Sequence, residues 1–184
     1  MTHPLASLAS GQRLQVFVPL LVATLALTIL FRFIGPDKPT IVDFELAGSV
    51  PNAQAIVNAW NETDRIRAGF SLGLDYLYMP VYSTAIALAC VLAAGVLAAG
   101  VLKSKAWHAL GLLLAWGLWI AALSDAIENV ALFTELLGGP AAPWPQIAQL
   151  CATIKFGLIL AGLLYVIVGV VLRLSKRSAL SSRA

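Results

Sequence analysis

Residues 107–136 read WHALGLLLAWGLWIAALSDAIENVALFTEL, and the fold turns on how that run is taken. It is long and apolar enough to cross a bilayer, which needs about 20 residues. Its second half nevertheless carries the motif Ser124–Leu132, which places Asp125, Glu128 and Asn129 among apolar neighbours. Charge at membrane depth is expensive, so these residues need a partner or a purpose.

Three further runs have the same character: Leu14–Ile34, Leu77–Leu102 and Ile147–Leu172. Over 184 residues, 60% are hydrophobic and 11% charged, whereas soluble domains carry about 25% charged residues. The mean hydropathy of +0.87 agrees. The expectation is an all-α integral membrane protein, one domain over residues 1–184, with four transmembrane helices in an antiparallel bundle. The first run is too long for a cleavable signal, and no small-residue cleavage site follows Arg32, so it is expected to stay as an anchor.

Between the spans the chain offers little soluble mass. Met1–Arg13 is a short polar lead, expected to be mobile. Residues 36–69 form the one sizeable loop, expected to be structured. Within it Ile41–Leu46 alternates apolar and polar residues, the period of an extended strand. Ser49 followed by Pro51 signals a helix start, and a short helix is expected over Ala53–Trp60. Asn61 or Thr63 is placed to cap a further helix leading into the second span. Pro80, in that span, leaves the carbonyl of Tyr76 without its helical donor. Ala85, Ala89 and Ala93 form a stripe of small residues that suits close helix packing.

The net charge of +3 matters by position. Arg13, Lys103, Lys105, Arg173, Lys176, Arg177 and Arg183 fall on one side of the spans. Lys38, Arg65 and Arg67 fall on the other, beside Asp37, Asp43, Glu45, Glu62 and Asp64. The positive-inside rule then makes both termini cytoplasmic and the 36–69 loop extracytoplasmic, in a plasma or bacterial inner membrane. No basic stripe with interleaved aromatics is present, so nucleic acid is not an expected partner. Cys90 and Cys151 stand alone in separate apolar runs and read as small buried hydrophobes.

Depth along a helix, at 1.5 Å per residue, brings the polar residues to one level. Asp125 lies about 30 Å from Lys105 along the third span, and Lys155 about 27 Å from Arg173 along the fourth. Tyr82 lies about 31 Å from Lys103 along the second, with Asp75 about 10 Å further out. Asp75, Tyr78 and Tyr82 share a sector of about 60°, and Asp125, Glu128 and Asn129 one of about 100°. The inference is one outward-facing intramembrane cluster: Asp75, Tyr78, Tyr82, Asp125, Glu128, Asn129 and Lys155.

Three acids then face one lysine. Either a carboxyl keeps its proton, or a cation binds, or Arg32 or water compensates. Carboxylates with Asn and Tyr oxygens suit a hard cation better than zinc. No histidine stands at that depth, so zinc and haem are not expected; no cofactor is evident.

Four roles fit this constellation. It can bind a lipid, small molecule or cation, with Phe44, Trp60 and Trp144 at the mouth of the pocket. It can serve a membrane-embedded acid/base enzyme acting on a lipid or isoprenoid, with Asp125 or Glu128 moving the proton and Lys155 stabilising charge. It can belong to a structural or accessory subunit that contacts a membrane-protein partner. Or it can simply lock the helices in register, since interhelical polar contacts contribute about 0.5–2 kcal/mol. Binding is the leading expectation, because a purely structural lock would balance its charges.

Overall fold

A computed structural model of the chain describes residues 2–96 and 104–181. Its elements are, in order, a 3-10 turn at Pro4–Ser7, then α1 (Ser10–Ile34), α2 (Ile41–Glu45), α3 (Val50–Ala59), α4 (Glu62–Val96), α5 (Lys105–Gly138) and α6 (Trp144–Ser181). No strand occurs among the described residues. α1, α4, α5 and α6 are long and apolar enough to cross a membrane, as a multi-pass membrane protein requires. Residues 97–102 of the expected second span, and the basic residues Lys103 and Arg183, lie outside the described residues.

The stretch expected to be a strand is the helix α2. Thr40 explains the difference. Its hydroxyl accepts from the Asp43 amide at 3.3 Å, while the Asp43 carboxylate accepts from the Thr40 amide at 2.7 Å and hydroxyl at 2.8 Å. This is a capping box, which satisfies donors at a helix start. The same bonds hold the Asp43 carboxyl below its usual range. Helical spacing then puts Ile41, Phe44 and Glu45 on one face, and Phe44 and Glu45 are buried.

The other starts follow from similar chemistry. Ser49 caps α3, accepting from Asn52, with Pro51 in the first turn. Asn61 caps α4, accepting from the Asp64 amide at 2.9 Å, and α4 then runs unbroken from Glu62 into the apolar span. Ser104 caps α5. That helix stops where Gly139 takes φ +82°, a conformation costly for any residue with a Cβ.

α4, α5 and α6 pack against one another, while α1 lies along α4 and shares no comparable interface with α5 or α6. Two apolar cores result. At one end α2 and α3 fold back onto the bundle: Phe44, Val57 and Trp60 pack with Ala68, Leu72, Ala131, Leu132 and Ala148. The Trp60 indole donates to the Pro39 carbonyl at 2.6 Å, and Arg65 to the Val57 carbonyl at 2.9 Å. At the other end Ala87, Cys90, Val91 and Ala94 meet Leu112, Ala115, Leu118 and Tyr165. At this end the fully buried small residues of α4 are Ala87, Cys90 and Ala94; of the expected stripe Ala85 is buried, and Ala89 and Ala93 are half-buried.

The N-terminal lead closes that second end rather than standing free. His3 is buried between the rings of Trp116 and Trp119, with centroids 4.8 and 4.6 Å away. The Trp116 indole donates to the Thr2 carbonyl, and Arg13 donates to the carbonyls of Ala6 and Leu8.

Close approach of the helices depends on glycine at one point in particular. A Cβ on Gly111 would stand 2.5 Å from the Tyr165 hydroxyl and 2.8 Å from the Ala94 Cβ, whereas one on Gly73 would meet nothing within 4 Å. Gly111→Ala is therefore expected to cost about 1–3 kcal/mol through overpacking. Gly73→Ala, in the same test, is expected to be neutral or slightly stabilising. Denaturant titration of the two variants in detergent micelles checks this; equal stabilities would contradict the packing described here.

Candidate functional site

Between the two apolar cores lies a polar layer built around Lys155. Its turn of α6 carries Ala148, Cys151 and Ala152, all buried, and these small side chains let the lysine lie against its neighbours. Asp125 and Glu128 are three residues apart on α5 and so share a face. The Lys155 Nζ stands 2.8 Å from Glu128 Oε1, 3.0 Å from Asp125 Oδ1 and 3.3 Å from Glu45 Oε2. The side chains of Lys155, Asp125 and Glu128 are only 6%, 2% and 0% exposed. One ammonium thus joins α2, α5 and α6. Tyr82 adds α4, its hydroxyl donating to Asp125 Oδ2 at 2.9 Å.

A second pair sits beside this network. The Asn129 amide donates to Asp75 Oδ2 at 2.8 Å and to the Leu72 carbonyl at 3.3 Å. Tyr78 does not join the acids; its hydroxyl shares a hydrogen bond with Thr28 of α1 at 2.8 Å. Its ring packs against those of Tyr82, at 4.9 Å, and Phe31, at 5.3 Å.

A cavity of about 390 Å³ opens against both groups. Its walls are Thr28 and Phe31 of α1, Ile41, Val42 and Glu45 of α2, and Ser71, Leu72, Asp75, Tyr78 and Tyr82 of α4, closed by Asp125 and Asn129 of α5 and Lys155, Phe156 and Ile159 of α6. The cavity exists because α1 leans on α4 alone, which leaves a space between α1 and α6. Phe31, Ile41, Val42, Phe156 and Ile159 supply apolar surface, interleaved with the polar groups: the Lys155 ammonium stands 4.7 Å from the centre of the Phe156 ring.

Of the seven residues expected to meet, Tyr82, Asp125, Glu128 and Lys155 form one network, and Asp75 and Asn129 form the adjoining pair. Six of the seven line the cavity; Glu128 is the exception, enclosed behind Lys155. Arg32 is exposed and forms no ion pair with the acids. Phe44 and Trp60, expected at the mouth, are core residues instead, and Trp144 packs on that core. His3 and His108 are remote from the cluster, and no three His, Cys, Asp or Glu side chains among the described residues converge as a metal site. The position a cation would take among Asp125, Glu128 and Glu45 is filled by the lysine itself.

Three residues escaped the sequence reading. Glu45 was read on a strand; the signal for its true place was Thr40-x-x-Asp43, which starts a helix. Ser71 precedes Asp75 by one turn on α4 and has no hydrogen-bond partner. Glu135, two turns beyond Glu128 on α5, is buried with neither oxygen bonded.

The electrostatics of the layer are unbalanced. Glu45, Asp75, Asp125 and Glu128 surround a single ammonium. Burial pushes the Glu45 carboxyl above its ordinary value, against the pull of Lys155. Glu45 and Glu128 both bond the Lys155 ammonium, so two like charges are held close together around it.

No family model, curated protein or solved structure matches this chain.

Two outcomes follow from this geometry. Lys155→Met leaves the carboxyls buried without their cation and is expected to cost about 3–5 kcal/mol. Unfolding of the purified variant in detergent at neutral pH reads this, and a loss below about 1 kcal/mol would show the ammonium to be dispensable. Glu45 gives the pH dependence. Because its folded value is raised, the folded protein keeps this proton to higher pH than the unfolded chain does. Its contribution is full below the ordinary carboxylate range and is lost as pH rises through the folded value. Glu45→Gln keeps an acceptor for Lys155 and removes that loss. Its unfolding midpoint is expected to match the wild type in acid and to exceed it increasingly toward alkaline pH.

Proposed function

We propose that the chain is a multi-pass protein of a cytoplasmic membrane whose cavity takes up a lipid or small amphipathic molecule. In this reading α1, α4, α5 and α6 cross the bilayer antiparallel, both termini are cytoplasmic, and α2 and α3 cover the bundle on the outer side. The charge distribution supports it: Arg13, Lys105, Arg173 and Lys176 stand at one end of the spans, and the acids of the 36–69 segment at the other.

The observation that carries the binding reading is a cavity lined by both apolar and polar side chains. Small-molecule sites run from about 300 to 1,000 Å³ and combine apolar walls with a few fixed polar groups. The space of about 390 Å³ between α1 and α6 has that make-up. It lies between helices that face lipid, so a ligand dissolved in the outer leaflet can enter sideways. Its polar groups are held rigid by the Lys155 and Asn129 bonds, which preorganises them.

The acid/base enzyme has less to stand on. Glu128 is enclosed behind Lys155, and Asp125 already holds two partners, Lys155 and Tyr82. Of the hydroxyls on the cavity wall, Ser71 has no bonded base, and the acceptor of Tyr82, Asp125, is already held by Lys155. A structural subunit is consistent with the exposed apolar faces of α1 and α6, yet lipid covers such faces equally well.

Val42 offers a test that leaves the core intact. It is 43% exposed and lies on the cavity wall, so Val42→Trp fills the entrance without disturbing buried contacts. Native mass spectrometry of protein released from mild detergent with added membrane lipid extract is expected to show one retained molecule per wild-type chain. Val42→Trp is expected to retain at least about tenfold less while unfolding at the same temperature. Equal retention by both would make the bound lipid a surface coat and end the reading.

A further inference from the structure

The space between α1 and α6 holds more information than its volume, because its carboxylates outnumber its one ammonium. We infer that the group this cavity takes is a primary or secondary ammonium carried by an apolar chain. The inference rests on the binding reading above and names the ligand class for the same site.

Acceptors outnumber donors on the polar wall. Lys155 directs its ammonium to Glu128, Asp125 and Glu45. Three carboxylates use its three N–H donors. Asp75 is left outside that set: it forms no ion pair, and its one hydrogen bond comes from Asn129. The Asn129 amide cannot be turned round. Its nitrogen faces two acceptors, Asp75 Oδ2 and the Leu72 carbonyl, so its oxygen must point away from them. That oxygen has no donor, although the residue is 1% exposed. Ser71, 2% exposed, likewise has an unbonded hydroxyl. Both residues line the cavity. A buried polar group without a partner is costly, and a ligand with N–H groups supplies donors to a wall where Asp75 has one hydrogen bond and the Ser71 hydroxyl has none.

Charge selects a cation among donors. Asp75, Asp125, Glu45 and Glu128 together oppose Lys155 alone. A neutral hydroxyl supplies a donor but no charge. A second ammonium beside Asp75 supplies both, and at close range in a poor solvent that difference is large. A bare metal ion is disfavoured, since the acid ligands do not converge. The apolar lining residues Ile41, Val42 and Ile159 then take the hydrocarbon. An anionic headgroup is repelled by the same acids, so the preferred source is an amine without a phosphate.

The test uses the full chain in phosphatidylcholine nanodiscs. Dodecylamine, dodecyltrimethylammonium, dodecanol and lysophosphatidylethanolamine are titrated at equal membrane mole fraction, and binding is read by native mass spectrometry. The wild type is expected to prefer dodecylamine to dodecanol by at least about tenfold. Asp75→Asn should bring that preference close to one. Ser71→Ala, a small change that spares the Lys155 network, should lower it several-fold and guards against misfolding of the first variant. If dodecylamine and dodecanol bind the wild type alike and Val42→Trp removes both, the pocket stands and the ammonium assignment is overturned. If no probe responds to Val42→Trp, the binding reading itself falls. Dodecyltrimethylammonium binding as well as dodecylamine would overturn the N–H part of the assignment, because it has no proton to donate. Lysophosphatidylethanolamine equalling dodecylamine would uphold the ammonium and overturn the exclusion of a phosphate.

Discussion

The ammonium of Lys155 is the point on which the architecture rests. It is fixed by carboxylates from a connecting segment, Glu45, and from a long helix, Asp125 and Glu128. A charge in a poor solvent must find its partners or its burial is prohibitive. The requirement therefore acts as a positional constraint. It sets the rotation of α6 toward α5, the height at which α2 docks, and, through Tyr82, the register of α4. Apolar contacts alone would tolerate sliding, because Leu, Ile and Ala pack about as well one turn along. A lysine that must meet three oxygens within 3.3 Å does not slide.

The apolar cores on either side divide the remaining work. Toward α2 and α3 the packing is of large rings and aliphatics, Phe44 and Trp60 on Val57 and Leu132. Toward the other end it is of small residues, with Gly111, Gly162 and Ala94 letting backbones approach. The first core holds a cover on the bundle; the second brings three helices close. α1 takes part in neither. Its contacts run along α4, and the Thr28–Tyr78 hydrogen bond is its polar tie at the level of the cavity. The cavity is the space that this one-sided attachment leaves.

Much of the polar layer was legible in the sequence because it obeys helical arithmetic. Asp125 and Glu128 are one turn apart, Asp75, Tyr78 and Tyr82 share a sector, and Lys155 lies at matching depth. Each statement needs only a rise and an angle per residue. Glu45 was not legible in the same way. Ile41–Leu46 alternates as a strand does, and only the local bonds between Thr40 and Asp43 decide for a helix. That choice carries Glu45 from a solvent-facing position to the centre of the site. The sequence reading found neither the His3 cap between Trp116 and Trp119 nor the gap beside α1. Both are relations between elements distant in the chain, which no local period encodes.

The surplus of acid is the feature that separates this layer from a lock. Had the polar residues served only to hold helices, Lys155 with Asp125 and Glu128 would suffice, and Asp75 and Ser71 could be apolar. Instead a further acid, Asp75, stands on the cavity wall with one hydrogen bond, from Asn129, and the Ser71 hydroxyl one turn away is unbonded. Each of these groups destabilises the protein taken by itself. In the proposed reading these groups are kept because a ligand binds to them. The balanced half of the layer therefore accounts for the structure, and the unbalanced half, on the cavity side, accounts for the proposed function.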